Sequence, residues 1–120
     1  TIEGQVIEGE ATFTHIIPSG PEIVSPQENE VVDPNNVVIT WNEVTNTITG
    51  SSQIEIVGYQ VIVEQVDPLR MLSIDLPATV TSVKIPLEFF AQQNTLHKFE
   101  VLAIEAGGNQ TITEGFFVTQ

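Results

Sequence analysis

Residues 97 to 108 read His-Lys-Phe-Glu-Val-Leu-Ala-Ile-Glu-Ala-Gly-Gly, an alternating run of strand formers that ends in two glycines. Successive side chains on a strand point to opposite faces, so Phe99, Val101 and Ala103 share one face while Leu102 and Ile104 lie on the other. Burying one face of so regular a strand requires a second layer. The runs ending at Trp41 and starting at Tyr59 are suited to supply it, which makes the remaining chain the packing partner of this stretch.

The other apolar runs share this period. Val37, Ile39 and Trp41 fall on one face. In the run from Ile54 to Val66, Tyr59, Val61 and Val63 fall on one face and Gln60, Ile62 and Glu64 on the other. Met71 to Leu76, Thr79 to Ile85 and Thr111 to Gln120 complete the set of expected strands, with Thr81, Val83 and Ile85 on a common face. Proline cannot donate to a ladder, so Ile23-Val24 before Pro26 and Val31-Val32 before Asp33-Pro34-Asn35-Asn36 are expected as short edge pieces. Residues 42–52 read as a loop, and Gly107-Gly108-Asn109 as a tight turn. Only Pro86-Leu87-Glu88-Phe89-Phe90-Ala91 suits a helical turn, with Phe89 or Phe90 plugging an end of the core. The pattern predicts an all-β fold, a two-sheet antiparallel sandwich.

Residues 1 to 20 stand apart. Ile2, Val6 and Ile7, then Phe13, Ile16 and Ile17, flank Glu8-Gly9-Glu10, a pattern for an extra strand or hairpin, and Pro18-Ser19-Gly20-Pro21 has the composition of a linker. Residues 1–20 are therefore read as an N-terminal extension, linker or tail of a preceding domain, and residues 21–120 as one domain. The chain opens at Thr1 with no charged segment leading into an apolar run, and the expectation is a piece cut from a longer, multidomain precursor.

Charge narrows the choice of partner. Sixteen Asp and Glu face only Arg70, Lys84 and Lys98, a formal net charge of −13. Phosphate contacts need clustered cations, so nucleic acid and anionic membrane surfaces are not expected as partners. No apolar run approaches the length of a membrane span. A chain of 120 residues buries roughly two-thirds of its unfolded surface and needs neither metal nor disulfide to fold. With no cysteine, there is no thiol chemistry. The chain has no Gly-x-Ser-x-Gly elbow, phosphate-binding glycine loop or histidine pair at ligand spacing, and most Glu residues fall at solvent-facing strand positions or in turns. An enzyme is not expected, nor any cofactor. The sharpest alternative is calcium, for which Glu28, Glu30, Asp33, Asn35 and Asn36 offer oxygen ligands in one segment. Their spacing matches no EF-hand loop, and local turns in which Asp33 and Asn36 satisfy backbone N–H groups are the expected use.

Three pieces in order, Trp41 ending one strand, Ile56-Val57-Gly58-Tyr59-Gln60-Val61 starting the next, and His97-x-Phe99-x-Val101-x-Ala103 leading to Gly108, together resemble a fibronectin type III domain over residues 21–120. The resemblance implies an immunoglobulin-like sandwich of seven strands, three in one sheet and four in the other. It also implies that Trp41, Tyr59, Val61, Phe99, Val101 and Ala103 form the structural core. One departure is His97, where the family normally has a tyrosine whose hydroxyl bonds back to the chain. An imidazole keeps one N–H for that purpose, and a partly buried structural histidine is expected. The loop Ala106-Gly107-Gly108-Asn109-Gln110-Thr111 carries no Arg-Gly-Asp tripeptide, so integrin binding by that route is not expected. By this resemblance the chain is a non-catalytic spacer or protein-binding module of a secreted or cell-surface multidomain protein, its partners neighbouring domains of the same chain or another protein. The alternative is an accessory carbohydrate-binding module attached to a polysaccharide-acting enzyme. The outward residues Ile62, Leu102 and Ile104 form the expected contact patch, for which Phe13, Ile16 and Ile17 are the nearest candidate cover.

Overall fold

Alternation sets the faces of each strand, and pairing decides which strands meet. The computed structural model describes residues 18–46 and 54–120; the expected N-terminal hairpin lies outside them. Eight strands follow in order: β1 (Ile23–Ser25), β2 (Glu30–Val32), β3 (Val38–Trp41), β4 (Ile56–Gln65), β5 (Arg70–Pro77), β6 (Ser82–Lys84), β7 (Leu96–Glu105) and β8 (Gln110–Thr119). One sheet has the order β1-β3-β6 and the other β2-β8-β7-β4-β5. A 3-10 turn at Leu87–Phe89 stands where the helical turn was expected, and it buries Phe89 and Phe90.

The two-sheet sandwich is as the alternation predicts, with a five-stranded second sheet in place of four. The extra strand arises because the two short edge pieces join opposite sheets. β1 pairs antiparallel with β3, the chain turns through Pro26 to Asn29, and β2 pairs parallel with β8 in the opposite sheet. Pro26 has no N–H with which to continue the first ladder. Asn29 turns the chain at φ 60, a left-handed conformation that asparagine tolerates, and its N–H bonds to the Phe116 carbonyl at 2.8 Å. A segment that changes sheets in this way clips the two layers together along one side.

The inward faces build one core. Val37, Ile39 and Trp41 oppose Tyr59, Val61 and Val63 of β4, Phe99, Val101 and Ala103 of β7, and Phe117 of β8, all buried. All six residues expected in the core are present there. Register alternates large with small. Tyr59 is paired with Ala103, while Phe99 sits between Val63 on one side and Gly115 on the other. The Trp41 and Tyr59 rings meet edge to face at 5.4 Å, and the Tyr59 hydroxyl accepts the Val44 N–H at 3.0 Å.

Gly115 is glycine because of Phe99. A Cβ at position 115 would come within 2.9 Å of two carbons of the Phe99 ring, which is walled in by the core and cannot withdraw. Gly115→Val is therefore expected to destabilise the domain by about 1–3 kcal/mol, the cost of overpacking. Urea denaturation checks this, and an unchanged midpoint would show that Phe99 has room to move.

Candidate binding surface

The outer face of the five-stranded sheet is where the sequence places its contact patch, and the ladders fix how those residues lie. Ile104 pairs with Gly58, Leu102 with Gln60 and Ile62 with Glu100, so the three expected residues share one face, Ile104 two residues along β7 from Leu102 and Ile62 diagonal to it. Leu102, however, is only 6% exposed and lies outside the main core cluster, on the opposite side of its sheet. It is already covered, and Ile62 and Ile104 are half-buried beside it. Leu102 sits mid-strand, with Gln60 and Ile112 as its lateral neighbours. It is therefore unavailable for contact. Phe13, Ile16 and Ile17 fall outside the described residues. Nearest to them in sequence, Pro18 is buried, and its carbonyl accepts the Thr111 hydroxyl at 2.6 Å.

Exposed apolar side chains gather at the other end of this face. Val31 pairs with Val118, Val118 with Leu96, and the Leu96 carbonyl accepts the Val66 N–H, so four aliphatic residues form a row across β2, β8, β7 and the residue that follows β4. Val31 is 60% exposed, Val66 45% and Leu96 40%, with Leu69 and Met71 exposed close by in the chain. No local pattern announces this row. Each member is one valine or leucine on the polar side of its own strand, and only register aligns them.

In the neighbouring rows charges are partnered. Lys98 Nζ lies 3.4 Å from Glu100 and 3.8 Å from Glu114, and these carboxylates hold its ammonium pKa above the ordinary value, Glu114 most strongly. One carboxylate lies on the inward face, where the strand period places it with Phe99, Val101 and Ala103. Glu105 points inward at the end of β7 and is buried, and N–H groups of Gly107 and Asn109 hold its pKa below the ordinary range. It thereby fastens the turn in which Gly108 adopts φ 96.

In the acidic segment considered for calcium, Asp33 and Glu30 are engaged with the local backbone and Glu28 with that of β8. Asp33 Oδ1 accepts from the Asn35 N–H at 2.9 Å, Glu30 Oε1 from the Gln27 N–H at 2.8 Å, and Glu28 Oε1 from the Phe116 N–H at 3.2 Å. Among the described residues, no group of three or more His, Asp or Glu side chains is placed to hold a metal ion. The two large aromatics expected in the core, Trp41 and Tyr59, are fully buried and offer no flat platform to a sugar.

His97 is more deeply placed than its sequence position implies. It is fully rather than partly buried, because β7 turns it toward Phe117, on which it stacks at 5.1 Å with ring planes 6° apart, and toward the edge of Phe90 at 5.1 Å. Nδ1 donates to the Thr95 carbonyl at 3.0 Å, so the expected bond back to the chain is made; Nε2 is buried without a partner. That arrangement holds the imidazole neutral. Burial lowers its pKa from the usual 6.5, partly opposed by the bond to Thr95. The unfolded chain binds this proton more readily than the fold, so the His97 contribution is complete above about pH 6.5 and is lost as pH falls below it. His97→Phe removes the titration, and Thr95 keeps a partner in the Thr119 N–H at 3.0 Å. Between pH 7 and 5.5 the melting temperature of the parent is expected to fall relative to this variant, and parallel profiles would refute the assignment.

No family model and no curated protein matches the chain. Among solved structures it is similar to the third fibronectin III domain of human KIAA0343 protein, at 11% identity over 92% of this chain and 89% of that one, with a TM-score of 0.60. It is also similar to part of the Clostridium perfringens spore cortex lytic enzyme SleM, at 17% identity and a TM-score of 0.52, covering 85% of this chain and 27% of that enzyme. At such identities the likeness is one of fold.

Proposed function

We propose that this chain, which has a fibronectin type III-like fold, is a non-catalytic spacer or protein-binding module of a larger secreted or cell-surface protein. One observation carries the binding part of this reading. The row Val31, Val118, Leu96 and Val66 leaves aliphatic surface in water, and contiguous exposed apolar surface marks contact sites. Its partner is a neighbouring domain of the same chain or another protein. The acidic surface disfavours nucleic acid.

The test uses hydrogen exchange in the chain alone and in its full-length parent protein. Slower exchange in β2, β8 and the start of β7 in the longer protein supports a domain contact there, and Leu96→Lys should abolish it. Identical exchange in both would remove the contact and leave a spacer.

A second reading has an observation of its own. A fold like this one makes up about a quarter of a lytic enzyme of the spore cortex, which supports an accessory role beside a polysaccharide-acting domain. Carbohydrate-binding sites usually present aromatic platforms, and here Trp41 and Tyr59 are in the core. Sedimentation with insoluble polysaccharide separates the two, since reproducible binding would favour the accessory role.

A further inference from the structure

We infer that the outer edge of β5 is a strand-addition site for an extended, cationic segment of a partner protein. The two sheets end in four edge strands, and three of them, β1, β2 and β6, are only three residues long. β5 has eight residues, paired to β4 in unbroken register from Arg70 opposite Gln65 to Pro77 opposite Gly58. Natural edges are usually blunted by bulges, lysines or internal prolines, and β5 has none of these before Pro77.

The free backbone groups can be assigned. Val66 donates its N–H to Leu96 on the β7 side of β4. Backbone groups alternate sides along a strand, so Gln65, Val63, Val61 and Tyr59 turn theirs toward β5, to Arg70, Leu72, Ile74 and Leu76. That leaves the N–H and C=O of Met71, Ser73 and Asp75 pointing away from the sheet, and among the described residues no strand pairs with them. Pro77 occupies the next outward position, where its missing N–H costs no ladder bond, and its carbonyl accepts the Val80 N–H. The edge is thus three residues of donors and acceptors, ended by a proline.

Charge selects the occupant. Asp75 is the only anion of β5, and Glu64 stands one strand in, opposite Met71. The one cation of β5, Arg70, lies 5.3 Å over the Phe89 ring at the strand's start. A second copy of this chain would bring another net charge of −13, and antiparallel self-pairing about Ser73 would set Asp75 against Met71. A strand with Lys or Arg at alternate positions and β-branched residues between them complements the edge in both hydrogen bonding and charge. This site is separate from the aliphatic row, and its test stands whatever covers that row.

The probe is the blocked synthetic peptide Lys-Val-Lys-Val-Lys-Val-Lys, titrated into the isotopically labelled chain at physiological salt. Exchange of the Met71, Ser73 and Asp75 amides should slow by at least about tenfold, with little change at β1, β2 and β6. The same peptide N-methylated at alternate residues keeps its charge but cannot pair, and should bind at least about tenfold more weakly. Asp75→Lys should transfer the preference to the Glu-Val counterpart. Equal binding of the methylated peptide would reveal charge attraction without strand addition, and would overturn the inference. So would protection confined to other strands, absence of binding at millimolar peptide, or sedimentation showing that the edge pairs with a second copy.

Discussion

Trp41→Ala should cost about 3–5 kcal/mol, enough to leave a domain of ordinary stability largely unfolded near body temperature. Trp41 is 1% exposed at the end of β3, and its ring bridges the sheets by meeting Tyr59 of β4 edge to face. Truncation opens a cavity that the small sheet cannot close, because β3 is held on both sides by β1 and β6. The indole Nε1 is buried without a hydrogen-bond partner. Trp41→Phe therefore keeps an aromatic contact and removes an unsatisfied donor, and is expected to cost only about 1–2 kcal/mol. Denaturant titration of both variants orders them. A cooperative transition for Trp41→Ala near the parent midpoint would show that the ring is not a core element.

Phe117→Ala is expected to cost a similar ~3–5 kcal/mol, with a second consequence at His97. Phe117 is fully buried on β8 and touches Phe90, Phe99 and His97, so it joins the large sheet to the aromatic plug below it. Its loss opens the stacked face of the imidazole to water. Since burial is the main cause of the lowered His97 pKa, that pKa should move back toward 6.5. The acid-dependent part of the stability should shrink accordingly. Equilibrium unfolding measures the first effect and an NMR titration of the His97 ring the second; Phe117→Leu serves if the alanine variant does not fold. Retention of the parent's low pKa would mean that Phe90 and the backbone, and not Phe117, exclude the water.

The core and the surface differ in how far they can be read from the chain. Trp41, Tyr59, Val61, Phe99, Val101 and Ala103 are legible because each belongs to a local alternation, and alternation follows from the two-residue period of a strand. The fibronectin-like architecture follows from the same runs and their order. Leu102 shows where this stops. Its face is set by period, but its cover depends on what lies across and above it, and those neighbours come from other parts of the chain. Glu105 falls by period on the inner face with Phe99, Val101 and Ala103, and what makes a carboxylate tolerable there is the turn at Gly107 to Asn109, which folds its N–H groups back onto it.

By itself, then, the sequence determined which side chains each strand turns inward, where prolines stop the ladders, and that only three cations stand among sixteen acids. These are properties of a few adjacent residues or of the whole composition. Tertiary structure alone decided that the two short edge pieces join opposite sheets, that Val31, Val118, Leu96 and Val66 line up, and that β5 stands at an edge of its sheet among the described residues. Each of these depends on the register between segments tens of residues apart. Register is fixed by the joint packing of all the strands, which no local run of residues encodes.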